Sequence, residues 1–222
     1  MSESSNAPEQ VGSAAPQFTA NAVRRALDAA IGGIGPVPGA AQVAERIHND
    51  QHGDEIATIK ELIDVHVRMA AAQGLLTNLG GLVTATLAIP ANITGLAFLQ
   101  IRLIASIMHL RGYDLYDARV QTAVLSALLG ESKILELLRA ARVPTTPMAI
   151  ATAPVGDPQL SLVMANEVAA ELVTRVAGKR LATTIARRTP LVGGFFGAST
   201  DAYWTWQAGR YADREFLSRR RR

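Results

Sequence analysis

The residues best suited to chemistry are few. His48 and His52 stand four apart, with Asp50 and Asp54 beside them. Two imidazoles at that spacing share one face of a helix, from which they can hold a divalent cation. The surrounding run, HNDQHGDE over 48–55, is polar and contains a glycine. It therefore reads as an interhelical turn with aspartate caps, and no metal centre is expected. Asp64 and His66 are two apart on a helical stretch and so point to different faces. With Val65, Val67 and Met69 around it, His66 reads as a core or boundary histidine rather than a base. His109 falls near a helix end, where a cation suits the helix dipole. Asp114 and Asp117 are a carboxylate pair at a helix start. Acid–base work would need surroundings that drive their pKa values apart, whereas capping accounts for both directly. There is no nucleophile elbow, paired-cysteine motif or dinucleotide fingerprint. The expectation is a protein that is not an enzyme and holds no cofactor.

A different chemistry gathers near the C-terminus. Tyr203, Trp204, Trp206 and Tyr211 fall in one helical stretch, followed by Arg210, Arg214 and the run Arg219, Arg220, Arg221 and Arg222. Tyr and Trp favour membrane interfaces because their rings are apolar and their O–H or N–H stays wet. Arginines beyond them suit an anionic leaflet. Two uses fit: docking on a membrane or a partner, or finishing a helical core. Lys179, Arg180, Arg187 and Arg188 form a second basic cluster. No aromatics are interleaved within this cluster or within the run 219–222 as a nucleic-acid platform requires, so nucleic acid is not an expected partner.

These residues must be positioned by helices. Aromatics make up only 5% of the chain while 49% is hydrophobic, so the apolar content is mostly Ala, Leu, Val and Ile. Few of the Val and Ile residues alternate as strands require. Charged residues, at 18%, fall below the usual quarter. The absence of cysteine removes disulfides and thiolate sites, and a reducing compartment fits. The stretch 1–17 is small and polar, lacks the basic start and apolar run of a signal peptide, and reads as a disordered leader.

Helical spacing predicts a first helix over 19–31 with Thr19 as its cap. A connector rich in Gly and Pro follows, then a short helix through Ile47 with Pro38 in its first turn. A long helix is predicted over 54–76. Between Met69 and Ile101 no residue is charged. Pro90 interrupts this run, Gly80 and Gly81 loosen it, and Asn, Thr and Gln dilute it, so it predicts two helices split near Pro90. Such a hairpin is either buried in a bundle or inserted into a membrane. Gly112 is expected to end its second helix, and Asp114 to cap the next. A short helix over 132–141 should turn Ile134, Leu135 and Leu138 inward. The proline-rich stretch 143–158 predicts a long loop that could divide two subdomains. A helix over 160–188, weakest at Gly178, and a last segment over 191–217 complete the chain, with Gly193 and Gly197 spaced for close helix approach. The expected fold is all-α: a single helical bundle over 18–217 with a long uncharged helical hairpin in its core, and a basic tail over 218–222.

Several of these features together resemble the EcsC family of bacterial helical proteins, some encoded beside an ABC transporter. The similar stretches are AQGLLTNLGGL over 72–82, the Ala88-Ile89-Pro90 break and Arg111-Gly112-Tyr113-Asp114-Leu115. Near the C-terminus Pro190-Leu191-Val192-Gly193, Gly197-Ala198 and Tyr211-Ala212 also fit. Leu110-Arg111 departs from the tyrosine usual before Gly112, and Asp201 stands where asparagine is usual. The resemblance implies a helical, membrane-associated protein linked to transport or export, with no catalytic mechanism. The expected partner is an anionic membrane surface or a membrane protein such as a transporter subunit, at the cytoplasmic face. The alternatives are a soluble protein-interaction module and, ranked below it, a metal-dependent enzyme using His48, His52 and His66.

Overall fold

The computed structural model describes residues 9–79, 88–186 and 193–219. Among them the chain forms nine α-helices and no strand beyond a single bridge between Ile34 and Val37. They are α1 (Glu9–Gly32), α2 (Ala40–Asp50), α3 (Glu55–Leu79), α4 (Ala88–Leu110), α5 (Ala118–Leu128), α6 (Glu131–Arg139), α7 (Pro147–Ala151), α8 (Pro158–Ala186) and α9 (Gly193–Glu215). The all-α bundle expected from composition and spacing is the fold observed.

α4 is the axis. Every residue from Leu99 to Met108 is buried, including Gln100, Arg102 and Ser106. A helix that is apolar all round must be surrounded, and α1, α2, α3, α5, α8 and α9 all pack on α4. Its described second half, which belongs in part to the uncharged segment, is therefore buried in the bundle. The proline expected to split that segment, Pro90, lies in the first turn of α4, where a missing N–H breaks no helical bond. α3 is described to Leu79 and α4 from Ala88, and the residues between them lie outside those described. Each fully buried Leu or Ile of α4 contributes about 2–3 kcal/mol relative to exposure.

α3 packs most extensively on α9, and the two run antiparallel. Arg111 reaches Glu55 in the first turn of α3 and Asp213 in the last turn of α9. Gly209 permits the close approach: a Cβ there would stand 2.7 Å from Ile63 Cγ1 and 2.9 Å from Leu103 Cδ2. The expected glycine pair, Gly193 and Gly197, falls in the first turns of α9.

Several boundaries differ from expectation. α1 begins at Glu9, inside the stretch read as a disordered leader, and Thr19 is interior to it rather than a cap. Gln10, Ala14 and Ala15 are helix formers, and an acid at the start suits the dipole. α2 starts after Gly39, two residues beyond Pro38, and continues to Asp50, so His48 to Asp50 are helical. Asp54 caps α3, accepting from the N–H groups of Ile56 and Ala57 at 2.9 and 3.0 Å. Asp117, not Asp114, caps α5 by accepting from Arg119 N–H at 2.8 Å. Asp114 instead folds back on Tyr116 N–H in an Asx turn. In α6, Ile134 and Leu137 are buried while Leu135 is exposed, because the inward face is set by contact with α5 rather than by leucine content. The 143–158 loop contains α7, which packs on α5. α8 continues through Gly178.

Three helices end in the same left-handed closure. After α4, Gly112 has φ +83°, Tyr113 N–H reaches Met108 O at 3.1 Å, and Gly112 N–H reaches His109 O at 2.9 Å. After α2 and α6 the left-handed position is held by His52 (φ +56°) and Ala141 (φ +53°). A side chain there costs about 1–2 kcal/mol relative to glycine. Ala141→Gly is therefore expected to stabilise the bundle by about 1 kcal/mol, partly offset by unfolded-chain entropy. A rise in the urea midpoint would show it, and an unchanged or lower midpoint would count against the strain.

Candidate functional site

α9 presents two faces. Thr205, Ala208, Gly209, Tyr211 and Ala212 are buried, and α9 packs chiefly on α3 and α4. On the other side Tyr203 (55% exposed) and Trp206 (47%) stack with ring centroids 6.2 Å apart at an interplanar angle of 28°. Arg210 follows one turn later, exposed, with only a loose 3.6 Å contact to Asp213. These three residues, at i, i+3 and i+7, form one stripe.

The remaining residues of the expected docking cluster lie elsewhere. Trp204 is half-buried, with the Arg175 guanidinium 4.5 Å over its ring. Arg175 also pairs with Glu171 at 2.9 Å and donates to Leu129 O at 3.3 Å, so this contact joins α8 to α9. Arg214 pairs with Glu131 of α6 at 2.8 Å. Tyr211 is buried, which pushes its hydroxyl pKa up, with Glu215 adding to the effect. Arg219 is turned back onto the body: its N–H donates to Arg111 O at 2.7 Å and its guanidinium lies 5.6 Å from the Tyr113 ring centroid. Arg220, Arg221 and Arg222 lie outside the described residues.

Sequence reasoning missed the hub that fixes this end of the chain. The Arg111 side chain is only 13% exposed. It donates to the carbonyls of Asp213 and Phe216, and to Asp213 Oδ1 at 2.6 Å. Glu55 sits 3.4 Å from Nε, a charge contact without hydrogen-bond geometry, since Nε has no bonded acceptor. A guanidinium against the last carbonyls of α9 satisfies orphan acceptors and complements the dipole. Tyr113 O–H adds a bond to Leu217 O at 3.0 Å, and Glu215 accepts from Met148 N–H at 2.9 Å.

Among the described residues the histidines and the expected carboxylate pair make separate contacts. His48 Nδ1 lies 3.0 Å from Thr58 Oγ1, while His52 occupies the left-handed turn. Among the described residues no group of three or more His, Asp or Glu side chains gathers to hold a metal ion. His109 meets Glu45 at 2.7 Å. Asp117 is held at a pKa of about 2 by hydrogen bonds from the Arg119 side chain and N–H.

His66 is the one strongly perturbed histidine. It is fully buried, and its Nδ1–H donates to Leu62 O at 2.8 Å. Nε2 is then the acceptor for Arg102 Nε–H at 3.2 Å, which fixes the neutral tautomer. Desolvation first, and the Arg102 charge as a smaller cause, lower its pKa to about 4 despite the Leu62 bond. Arg102 is itself 4% exposed, lies 5.1 Å from the Phe98 ring centroid and donates to Met69 Sδ at 3.2 Å. The sequence has no Asp or Glu over 65–113 to neutralise it. The arrangement is a buried guanidinium that donates to two neutral acceptors, His66 Nε2 and Met69 Sδ.

Among the described residues no helix is long and apolar enough to cross a membrane. Comparison with protein-family models, curated proteins and solved structures finds no match.

Proposed function

We propose that this chain is a non-enzymatic accessory protein that docks on the anionic face of the cytoplasmic membrane through the outer stripe of α9. The observation that carries this is the exposed, stacked Tyr203–Trp206 pair with Arg210 one turn on. Large aromatics at about half exposure forgo burial that the bundle could have given them. Their amphipathic rings suit the headgroup level of a bilayer, and a nearby Arg gains about 1 kcal/mol at an anionic surface. Arg175 on α8 lies beside this stripe through Trp204. The resemblance to the EcsC family points to the same setting, an accessory role in transport or export.

Flotation with phosphatidylserine-containing and neutral vesicles tests the reading. The protein is expected to float with anionic vesicles at low salt and to be released as salt rises. Replacing Tyr203 and Trp206 by Ala and Arg210 by Glu should raise the lipid needed at least tenfold. Unchanged flotation of that variant would sink the assignment of the stripe. Exposed Trp, Tyr and Arg are also the types that dominate protein interfaces. Absence of flotation by the intact protein would favour that second reading, a partner protein such as a transporter subunit.

A further inference from the structure

α3 and α4 run antiparallel, since Arg102 bonds His66 and Arg111 reaches Glu55. Two short pairs meet across their contact: His66 and Met69, three apart on α3, and Phe98 and Arg102, four apart on α4. Arg102 is the centre of the four. Its Nε–H donates to His66 Nε2 at 3.2 Å and its Nη2 to Met69 Sδ at 3.2 Å, with the Phe98 ring centroid 5.1 Å away. These bonds use two of the five N–H groups a guanidinium carries. Nη1 makes no hydrogen bond among the described residues, yet it is not sealed from solvent as the partnerless Gln100 Oε1 is. A residue only 4% exposed thus keeps one arm of its fork open.

The charge around this fork is unbalanced. Buried charges are ordinarily paired, but neither Arg102 nor Arg46 of α2 enters an ion pair among the described residues. Burial first, and then the charge of Arg46, hold the Arg102 pKa below the usual arginine value. The acids on these walls are turned elsewhere. Glu45 meets His109, Glu61 meets Arg68, and Asp64 lies on a different face of α3 from His66. Met69 is the weakest partner of the fork: a thioether is a poor acceptor, and this one is 39% exposed on a flexible stem.

We infer that Arg102 and Arg46 hold the oxyanion head of an acyl-chain ligand, which takes the place of the Met69 sulfur on the guanidinium. An oxyanion across the two Nη groups makes the paired, charge-assisted bonds that arginine geometry suits. His66, neutral and donating to Leu62 O, keeps its Nε2 on Nε–H and so fixes the plane of the fork. Arg46 adds a second positive charge from α2. The rim selects the rest of the ligand. Met69 and Phe98 leave apolar surface partly exposed beside the cation, a combination that favours an amphiphile over a bare ion. This site lies among α2, α3 and α4 and is independent of the docking stripe on α9.

Calorimetric titration of the full chain with decanoate, decanol and inorganic phosphate tests the site. Decanoate, kept below its micelle concentration, is expected to saturate a single site and to bind about tenfold or more tighter than decanol or phosphate. Arg102→Met keeps the bulk without the charge and should bring decanoate down to the affinity of decanol. The loss of one hydrogen bond to a charged group is worth about that factor. Arg46 is exposed, so Arg46→Glu tests the site without disturbing the core, and it should weaken decanoate about tenfold. Circular dichroism checks that both variants fold, and the Arg46→Glu result decides if the buried change does not. Decanoate affinity unchanged in Arg46→Glu would overturn the inference, as would the absence of saturable binding by the intact protein. Phosphate bound as tightly as decanoate would overturn the acyl-chain assignment.

Discussion

Arg111→Leu is expected to destabilise the bundle by about 3–5 kcal/mol, the cost typical of removing one partner from a buried, hydrogen-bonded charge cluster. The substitution leaves Asp213 and Glu55 facing each other without the guanidinium between them. It also leaves the Asp213 and Phe216 carbonyls without their donor. Leucine preserves most of the apolar stem, so the loss measures polar chemistry rather than a cavity. Arg111→Lys should recover part of it, because an ammonium can meet Asp213 but cannot fork to two carbonyls as well. Equilibrium urea unfolding at neutral pH is the measurement, with the slope checked for constancy. A loss below 1 kcal/mol for the leucine variant would mean that the α9 end is held by Tyr113 and Phe216 packing instead.

The second large effect is on pH dependence. His66 titrates near 6.5 in an unfolded chain and at about 4 in the bundle, chiefly because burial disfavours the imidazolium and secondarily because Arg102 opposes it. Between those values the unfolded chain binds the proton and the folded one does not, so stability rises with pH. The contribution is complete above about 6.5 and is lost as pH falls towards 4, in an amount on the order of 3 kcal/mol. His66→Gln keeps an amide that can accept from Arg102 and removes the titration. The difference in unfolding free energy between wild type and this variant should therefore shrink or reverse by that amount between pH 7 and pH 4. Parallel pH profiles for the two proteins would show that His66 is not the source.

How far these features were legible in the sequence depended on whether they were local. The uncharged stretch, its proline and the glycine at 112 are short-range signals, and they correspond to α4, its first turn and its closure. Cap identity was less legible: Asp114 and Asp117 are chemically equal, and only the turn made by Tyr113 to Tyr116 decides which one meets the first N–H of α5. The inward face of α6 was misjudged for a related reason, since Leu135 and Leu137 are interchangeable until α5 is in place. The aromatic cluster separated into one exposed stripe and several structural contacts because the partners of Trp204, Arg214 and Arg219 are Arg175, Glu131 and Tyr113, all distant in sequence. Arg111 carried no local signal: its carbonyl acceptors lie about a hundred positions away, and Glu55 more than fifty.

That same separation bears on how the molecule is made. α9 is the last helix of the bundle, yet it is the main partner of α3 and an immediate neighbour of α4. A growing chain that has emerged only as far as α8 has its most apolar helix translated and one wall of its enclosure missing. Helical proteins usually fold fast because their contacts are local; here closure waits for α9 to leave the ribosome, and Arg111 cannot find its acceptors until then. During synthesis the exposed flank of α3 and α4 is an apolar surface of the kind that chaperones cover.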